Sequence, residues 1–201
     1  RLWDLDSGQA QCQFNGHTAV VECLVVDWAS QRAISGSGDK SLRLWDLCTG
    51  QTLRLFKGHA KAVRSLAVDW PASRGLSGGR DAAVRLWDLE SGKALGQLTG
   101  HAGTVECLAL HWASQRAASA GSDATVRLWD LARMGELQRF TGHVGPVRCM
   151  EVDWTSDRLL SAGHDATLRF WDLRSGEEVQ RLRGHQGAVP LYCMSSTWAC
   201  H

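Results

Sequence analysis

The sequence lacks an excess of charge of either sign. Its 201 residues include 22 lysines and arginines against 21 aspartates and glutamates, which gives a formal net charge of +1 at pH 7. Proteins that hold nucleic acid or an anionic membrane surface by bulk charge carry a strongly basic face. We therefore expect no nucleic acid and no membrane among the partners of this protein.

Long apolar runs are also missing. No stretch reaches the roughly 18 apolar residues of a membrane span, and residues 1–8 lack the apolar core of a signal peptide. We expect a protein of the cytoplasm, with the nucleus as the alternative compartment. Because Arg1 opens inside a motif that recurs later, we also expect a fragment of a longer regulatory or signalling protein.

Cysteines occur without the spacing of a disulfide framework or a zinc site. The seven cysteines are an odd number, and Cys23, Cys107 and Cys149 recur at one position inside apolar runs. We interpret them as buried thiols in a reducing compartment. Since no close Cys/His cluster has zinc spacing, we expect neither a metal ion nor another cofactor.

Glycine and tryptophan are abundant, and their positions are periodic. The sequence has 21 glycines and 10 tryptophans but three prolines and one tyrosine. Every 42 residues a Gly-His dipeptide recurs from residue 16 and a Trp-Asp dipeptide from residue 3, and Trp28, Trp70, Trp112 and Trp154 keep the same interval. A period of this length indicates an array of stacked supersecondary units.

Each unit contains signals for short strands and no helical stripe. In residues 59–100, alternating apolar positions and turn residues predict strands at 62–70, 74–78, 82–89 and 93–98. Four antiparallel strands therefore fill one period. Because such a sheet is apolar on both faces, neighbouring sheets have to stack against one another.

The recurring residues resemble the WD-repeat β-propeller family. They are the Gly-His dipeptide, the Ser-Gly or Ser-Ala of the second strand, the Asp of the following turn and the Trp-Asp dipeptide, and they extend to about residue 189. The resemblance implies an all-β propeller of four-stranded antiparallel blades. One departure is the second tryptophan series, whose rings we expect to pack over the blade edge instead of forming an exposed aromatic stripe.

We divide the chain into four complete blades and one split blade. The complete blades span 17–58, 59–100, 101–142 and 143–184; residues 1–16 supply the third and fourth strands of the split blade, and 185–201 form an incomplete blade with a divergent tail. Closure with five blades is one interpretation. The leading one is a truncated propeller, because the repeat breaks from Pro190 and the seven blades usual in the family need roughly 294 residues. Open edges would favour self-association.

Each unit carries a His, a Ser and an Asp, which invites comparison with a hydrolase triad. Nucleophilic catalysis needs one oriented set of such residues beside a substrate cleft. Four equivalent sets contradict that need, so we expect no enzyme and no catalytic residue. The family resemblance implies instead that these residues join the Trp of the Trp-Asp dipeptide in structural tetrads, here His17, Ser35, Asp39 and Trp45; His59, Ser77, Asp81 and Trp87; His101, Ser119, Asp123 and Trp129; and His143, Ser161, Asp165 and Trp171.

The resemblance further implies a rigid platform that binds other proteins or peptides. Specificity then lies where the four copies differ, just after Gly-His and just before the turn Asp. These positions, which we call the rim residues, are Thr18, Lys61, Arg80, Ser122, Val144 and His164. The alternative function is a propeller with a catalytic or small-molecule-binding central channel. Alternating charges at 22, 64, 106 and 148 are interpreted as pairing between blades.

Overall fold

Residues 1–183 form four four-stranded sheets and one two-stranded sheet. The structure, a computed structural model, describes residues 1–183. The predicted all-β class, with four complete blades and one partial blade, is confirmed. The incomplete blade expected at 185–201 lies outside the described residues.

Each complete blade is an antiparallel meander whose strands follow chain order. The first blade consists of β3 (Val21–Asp27), β4 (Arg32–Ser37), β5 (Ser41–Asp46) and β6 (Thr52–Lys57). The second consists of β7 (Val63–Asp69), β8 (Arg74–Gly79), β9 (Val84–Asp88) and β10 (Ala94–Leu98). The third consists of β11 (Val105–His111), β12 (Arg116–Gly121), β13 (Val126–Asp130) and β14 (Gly135–Phe140), and the fourth of β15 (Val147–Asp153), β16 (Arg158–Gly163), β17 (Thr167–Asp172) and β18 (Glu178–Arg183).

The partial blade is the pair β1 (Leu2–Trp3) and β2 (Ala10–Cys12). Its strands are short because the turn begins early: the Asp4 amide donates to the Gln9 carbonyl. Phe14 follows β2 and meets the Trp45 ring edge-on at 5.7 Å. The pair therefore covers the outer part of the first complete blade.

The Asp of each Trp-Asp dipeptide closes the turn between the third and fourth strands. In the first blade, the amides of Cys48 and Thr49 donate to Asp46 Oδ1 at 2.9 and 2.8 Å. Gly50 then takes a left-handed conformation with φ 70°, which a residue without a Cβ adopts at little cost. The Asp of the Trp-Asp dipeptide therefore stabilises the turn that joins the third and fourth strands.

Apolar clusters hold neighbouring blades together. Ile34 and Leu42 of the first blade pack with Val63 and Trp87 of the second, and equivalent clusters join the second to the third and the third to the fourth. The contact is close: a Cβ at Gly36 would lie 2.6 Å from Val63 Cγ1. Strands β3, β7, β11 and β15 consequently lie side by side along the inner edge of the array.

The second tryptophan series bridges the blades. Trp70, Trp112 and Trp154 are half-buried and pack against the three interblade clusters. A guanidinium of the preceding blade covers each ring, at centroid distances of 5.3–5.6 Å, in the pairs Arg32–Trp70, Arg74–Trp112 and Arg116–Trp154. The expectation that these rings pack over the blade edge is wrong for Trp28. Its side chain is 62% exposed, because no described strand takes the place of the first two strands of a preceding blade.

Replacing Trp112 with Ala is expected to destabilise the chain. The ring packs on the cluster between the second and third blades, so its loss removes apolar burial and the cation–π contact with Arg74. We expect a loss of about 2 kcal/mol, less than for a fully buried Trp. Thermal unfolding followed by circular dichroism measures it, with Trp28→Ala as the matched control. Equal losses for the two variants would contradict the bridging role.

Candidate functional site

The third blade shows how the four periodic polar residues meet. The Trp129 indole donates to Ser119 Oγ at 2.8 Å, Ser119 Oγ lies 2.7 Å from His101 Nε2, and His101 Nδ1 lies 2.9 Å from Asp123 Oδ2. Because an indole can only donate, the serine hydroxyl is left to donate to Nε2. In this arrangement the imidazole accepts at Nε2 and donates from Nδ1 to the carboxylate. Each group thus donates a hydrogen bond to the next, from the indole to the carboxylate.

The same series of hydrogen bonds, from Trp through Ser and His to Asp, occurs in the other three blades. The Trp–Ser distance is 2.8 Å in each, the Ser–His distance is 2.7 or 2.8 Å, and the nearest His–Asp distance is 2.8 to 3.0 Å. Ser77, Ser119 and Ser161 are fully buried. A hydroxyl that is enclosed and already bonded on both sides holds strands together and is badly placed to attack a substrate.

Burial and hydrogen bonding shift the pKa values of titratable groups in the tetrads. Burial raises the pKa of Asp123, but hydrogen bonds from His101, the Ala102 amide and the Thr125 hydroxyl outweigh it and hold that pKa well below its usual range. Burial lowers the pKa of His59 and His143 in spite of the neighbouring aspartates. In the second and fourth blades a charged carboxylate therefore lies beside an imidazole whose burial favours the neutral form.

Each tetrad also fixes the loops that carry the rim residues. In the third blade the Ala102 amide, next to the tetrad histidine, donates to Asp123 Oδ2 at 2.9 Å. The Ser122 amide donates to the Thr104 carbonyl at 2.8 Å and so ties one loop to the other. The fourth blade repeats both bonds through Val144 and His164. The rim residues consequently stand on a hydrogen-bonded frame.

Most of the rim residues face solvent. Lys61, Thr18, Val144 and His164 are exposed, whereas Ser122 is half-buried. Arg80 is exposed as well, but its guanidinium pairs with Glu22 of the first blade at 3.0 Å.

Comparing the four repeats with one another did not identify Lys40 as a rim residue. Lys40 is exposed, follows the tetrad residue Asp39 and adopts φ 70°. The other three blades have Ala at this position, at 82, 124 and 166, which was the signal that could have identified it.

A charged ladder runs along the inner strands. Arg64 pairs with Glu22 at 2.9 Å and with Glu106 at 3.2 Å, and Glu106 also pairs with Arg148 at 2.7 Å. The four residues occupy equivalent positions in the four blades. The alternating signs are thus used in contacts between blades, as the sequence suggested.

Buried arginines of the third strands are a second feature that sequence reasoning missed. Arg127 and Arg169 are almost fully buried and pair with Glu136 and Glu178 of the fourth strands. A Cβ at Gly100 would lie 2.5 Å from Arg127 Nη1. The glycine of the Gly-His dipeptide therefore leaves room for this guanidinium.

A family model described as WD domain, G-beta repeat matches four consecutive segments, at residues 8–46, 50–88, 92–130 and 134–172. The chain belongs to the WD-repeat family. WD repeats generally mediate contacts between proteins, and proteins built from them are typically non-catalytic. A comparison with curated proteins found no significant match.

Two further observations concern the described part of this WD-repeat chain. Residues 1–183 contain no helix long and apolar enough to cross a membrane. In the same range, no group of three or more His, Cys, Asp or Glu side chains is arranged to hold a metal ion.

Asp123→Ala is expected to lower the melting temperature. The change leaves the His101 Nδ1–H and the Ala102 amide without their acceptor, and an unpaired buried donor costs about 1–3 kcal/mol. Differential scanning calorimetry measures the change, and Asp6→Ala, at an exposed position, is the matched control. Wild-type melting of Asp123→Ala would refute a stabilising role for the tetrad.

Acid is expected to destabilise the chain in two stages. His59 and His143 have folded pKa values lowered from 6.5, so the unfolded chain binds more protons as the pH falls below about 6.5, and stability decreases. Asp81, whose folded pKa is lowered from 3.8, adds stability above that pH and loses it on further acidification. We expect melting temperatures to fall below about pH 6.5 and more steeply below about pH 4. A melting temperature that rises between pH 7 and 5 would contradict this assignment.

Proposed function

We propose that this chain is a protein-interaction scaffold whose rim residues contact the partner. The observation that carries the proposal is the frame beneath the rim: in every complete blade a tetrad carboxylate binds the loop that follows Gly-His. Positioning side chains on a rigid scaffold reduces the ordering cost of binding. Conserved geometry with variable tips is the arrangement that a recognition surface needs.

The charge of the rim favours an acidic partner segment. Lys40 and Lys61 are exposed, and among residues 1–183 neither of them forms an ion pair. The tetrad aspartates of the same loops are nearly buried and are occupied by His and backbone donors. The charge that a partner meets on the first two blades is therefore positive, although Glu22 partly neutralises Arg80. We propose Lys61, Arg80 and His164 as the main contact residues.

The catalytic or small-molecule channel is the weaker proposal. The charged side chains of the inner strands, Glu22, Arg64, Glu106 and Arg148, are repeated and paired with one another. A substrate site needs a singular group of polar residues with unequal environments. The ladder instead contributes to the contacts between blades.

We also propose a reducing compartment, the cytoplasm or alternatively the nucleus, and origin from a longer regulatory or signalling protein. Within residues 1–183 no two cysteines form a disulfide. Burial raises the pKa of the Cys23 thiol to about 12, so this thiol is poorly reactive. Localisation of the tagged protein in cells tests the compartment, and the full reading frame of the gene tests the origin from a longer protein.

The rim proposal is tested by Lys61→Ala combined with Arg80→Ala. Partners are captured from a lysate on the immobilised wild-type chain, identified by mass spectrometry, purified and titrated against both forms. We expect binding at least about tenfold weaker, equivalent to about 1.4 kcal/mol, because both side chains are exposed on the fixed loops. Circular dichroism checks that the variant is folded.

The matched control is Lys93→Ala combined with Arg133→Ala. It removes the same number of charges from the opposite end of the sheets, where the turns join the third and fourth strands, and both residues are exposed. We expect unchanged affinity for this variant. Equal affinity of the wild type and the Lys61/Arg80 variant would defeat the rim assignment, and equal weakening in both variants would reduce it to general electrostatic attraction.

A further inference from the structure

The arginines of the third strands have a partner on the adjacent fourth strand in three of the four complete blades. In the sheet ladder each partner residue lies opposite the Trp of the Trp-Asp dipeptide, so the three occupy one equivalent position, which we call the partner position. A carboxylate fills it in the third and fourth blades, and a hydroxyl fills it in the first. The pairs are Arg43–Thr52, with a hydrogen bond of 3.0 Å, Arg127–Glu136 and Arg169–Glu178.

The second blade has Arg85 as its third-strand arginine and Ala94 at the partner position. Ala94 lies opposite Trp87 in the ladder, so the strand register is the same as in the other blades. A methyl group cannot accept a hydrogen bond. Among residues 1–183 the Arg85 side chain forms neither a hydrogen bond nor an ion pair, so its guanidinium has no acceptor in the described part of the chain.

Arg85 nevertheless lies in the place that the other arginines take. It is half-buried, and a Cβ at Gly58 would lie 3.2 Å from Arg85 Nη1, just as a Cβ at Gly100 would meet Arg127 Nη1. The enclosed Nε of Arg85 lacks a hydrogen bond, but so does the Nε of Arg43 and of Arg127. The difference between the blades therefore lies in the terminal nitrogens of the guanidinium.

A half-buried guanidinium without an acceptor favours an anion. The group keeps its charge at pH 7 and has lost part of its hydration, which is unfavourable unless an opposite charge or an acceptor compensates it. Its planar pairs of N–H groups match the two oxygens of a carboxylate. In the third and fourth blades the chain itself supplies that carboxylate, through Glu136 and Glu178. In the second blade it does not.

A second donor borders the partner position. In the third blade Glu136 accepts from Arg139 Nε at 3.0 Å as well as from Arg127, and the fourth blade repeats this contact. The equivalent residue of the second blade is Gln97, which is exposed and whose side chain forms no hydrogen bond within residues 1–183. Its amide NH₂ can donate. A carboxylate beside Arg85 would therefore have donors on both β9 and β10.

We propose that Arg85 and Gln97 form a binding site for a carboxylate group, in the space that a glutamate at position 94 would occupy. Ala94 and Gln97 are exposed, so a ligand reaches the site from solvent. The ligand is an acidic side chain of a partner protein or a free small carboxylate, which present the same group. Because the site is built on the strands β9 and β10, it does not depend on the rim assignment.

Acetate is the probe for this site. The melting temperature of the full chain is measured by differential scanning fluorimetry at pH 7 in sodium acetate and in sodium chloride of the same concentration. We expect the wild type to melt about 2–4 °C higher in about 100 mM acetate, because a ligand that binds the folded chain stabilises it. Ala94→Glu fills the site from within and should lose this increment. Gln51→Glu, the matched control, adds the same charge at an exposed position of the first blade and should keep it.

Three results of this measurement would overturn the proposal. Equal increments in the wild type and Ala94→Glu would mean that acetate acts on the chain as a whole. The absence of an increment in the wild type would mean that no site exists. An increment that is larger for sulfate than for acetate at equal ionic strength, and that Ala94→Glu abolishes, would assign the site to a tetrahedral oxyanion instead of a carboxylate.

An Arg85→Met background tests whether the guanidinium is the receptor. In chloride, Ala94→Glu should raise the melting temperature by about 2–4 °C in the wild-type background and leave it unchanged in Arg85→Met, because the new carboxylate then lacks its donor. The same rise in both backgrounds would contradict the role of Arg85. If Arg85→Met does not fold, the acetate increments of the wild type and Ala94→Glu decide.

The partner captured on the immobilised chain distinguishes the two sources of the carboxylate. If an acidic side chain of that partner is the ligand, Ala94→Glu should weaken its binding at least about tenfold. If a free small carboxylate is the ligand, the partner should bind Ala94→Glu and the wild type equally. Unchanged partner binding by the Lys61/Arg80 variant would count against the rim proposal alone, because the acetate measurement involves no partner.

Discussion

Each sheet of this chain is apolar on both faces, so every blade needs a neighbour on either side. Within the array that need is met by clusters such as the one that joins Ile34 to Val63 and Trp87. At the first blade it is met only in part, where Phe14 covers Trp45. The exposure of Val21 and Trp28 on the first blade follows from this single constraint, because the burial of apolar area is the main favourable contribution to folding.

The tetrads act within this framework by fastening each loop to its own blade. A serine at the centre accepts from the indole and donates to the imidazole, and the imidazole donates to an aspartate that also holds the neighbouring backbone. The residues that recur every 42 positions therefore serve folding. The residues that vary between copies, such as Lys61, Arg80 and His164, stand on the loops that the tetrads hold, which is why we assign recognition to them.

Contacts between blades combine three physical effects at neighbouring positions. The valine knobs bury apolar area, the Glu–Arg ladder pairs charges along the inner strands, and the guanidinium groups cover the indole rings. Ion pairs that are partly open to solvent, as these are, contribute little individually. Together they restrict the register in which one blade meets another.

The period of 42 residues by itself determined the strand content and the number of complete blades, and the resemblance to the WD-repeat family implied which residues join in the four tetrads. Alternating apolar residues and turn residues act over a few positions, so the strands and turns that they specify can be predicted from the linear sequence. Tertiary structure decided which side chains meet across blades: the cover of Arg74 over Trp112, the pairing of Arg80 with Glu22 and the exposure of Trp28. These depend on the offset and rotation between stacked sheets, which no spacing along the chain encodes directly, because each blade is positioned by packing against its neighbour.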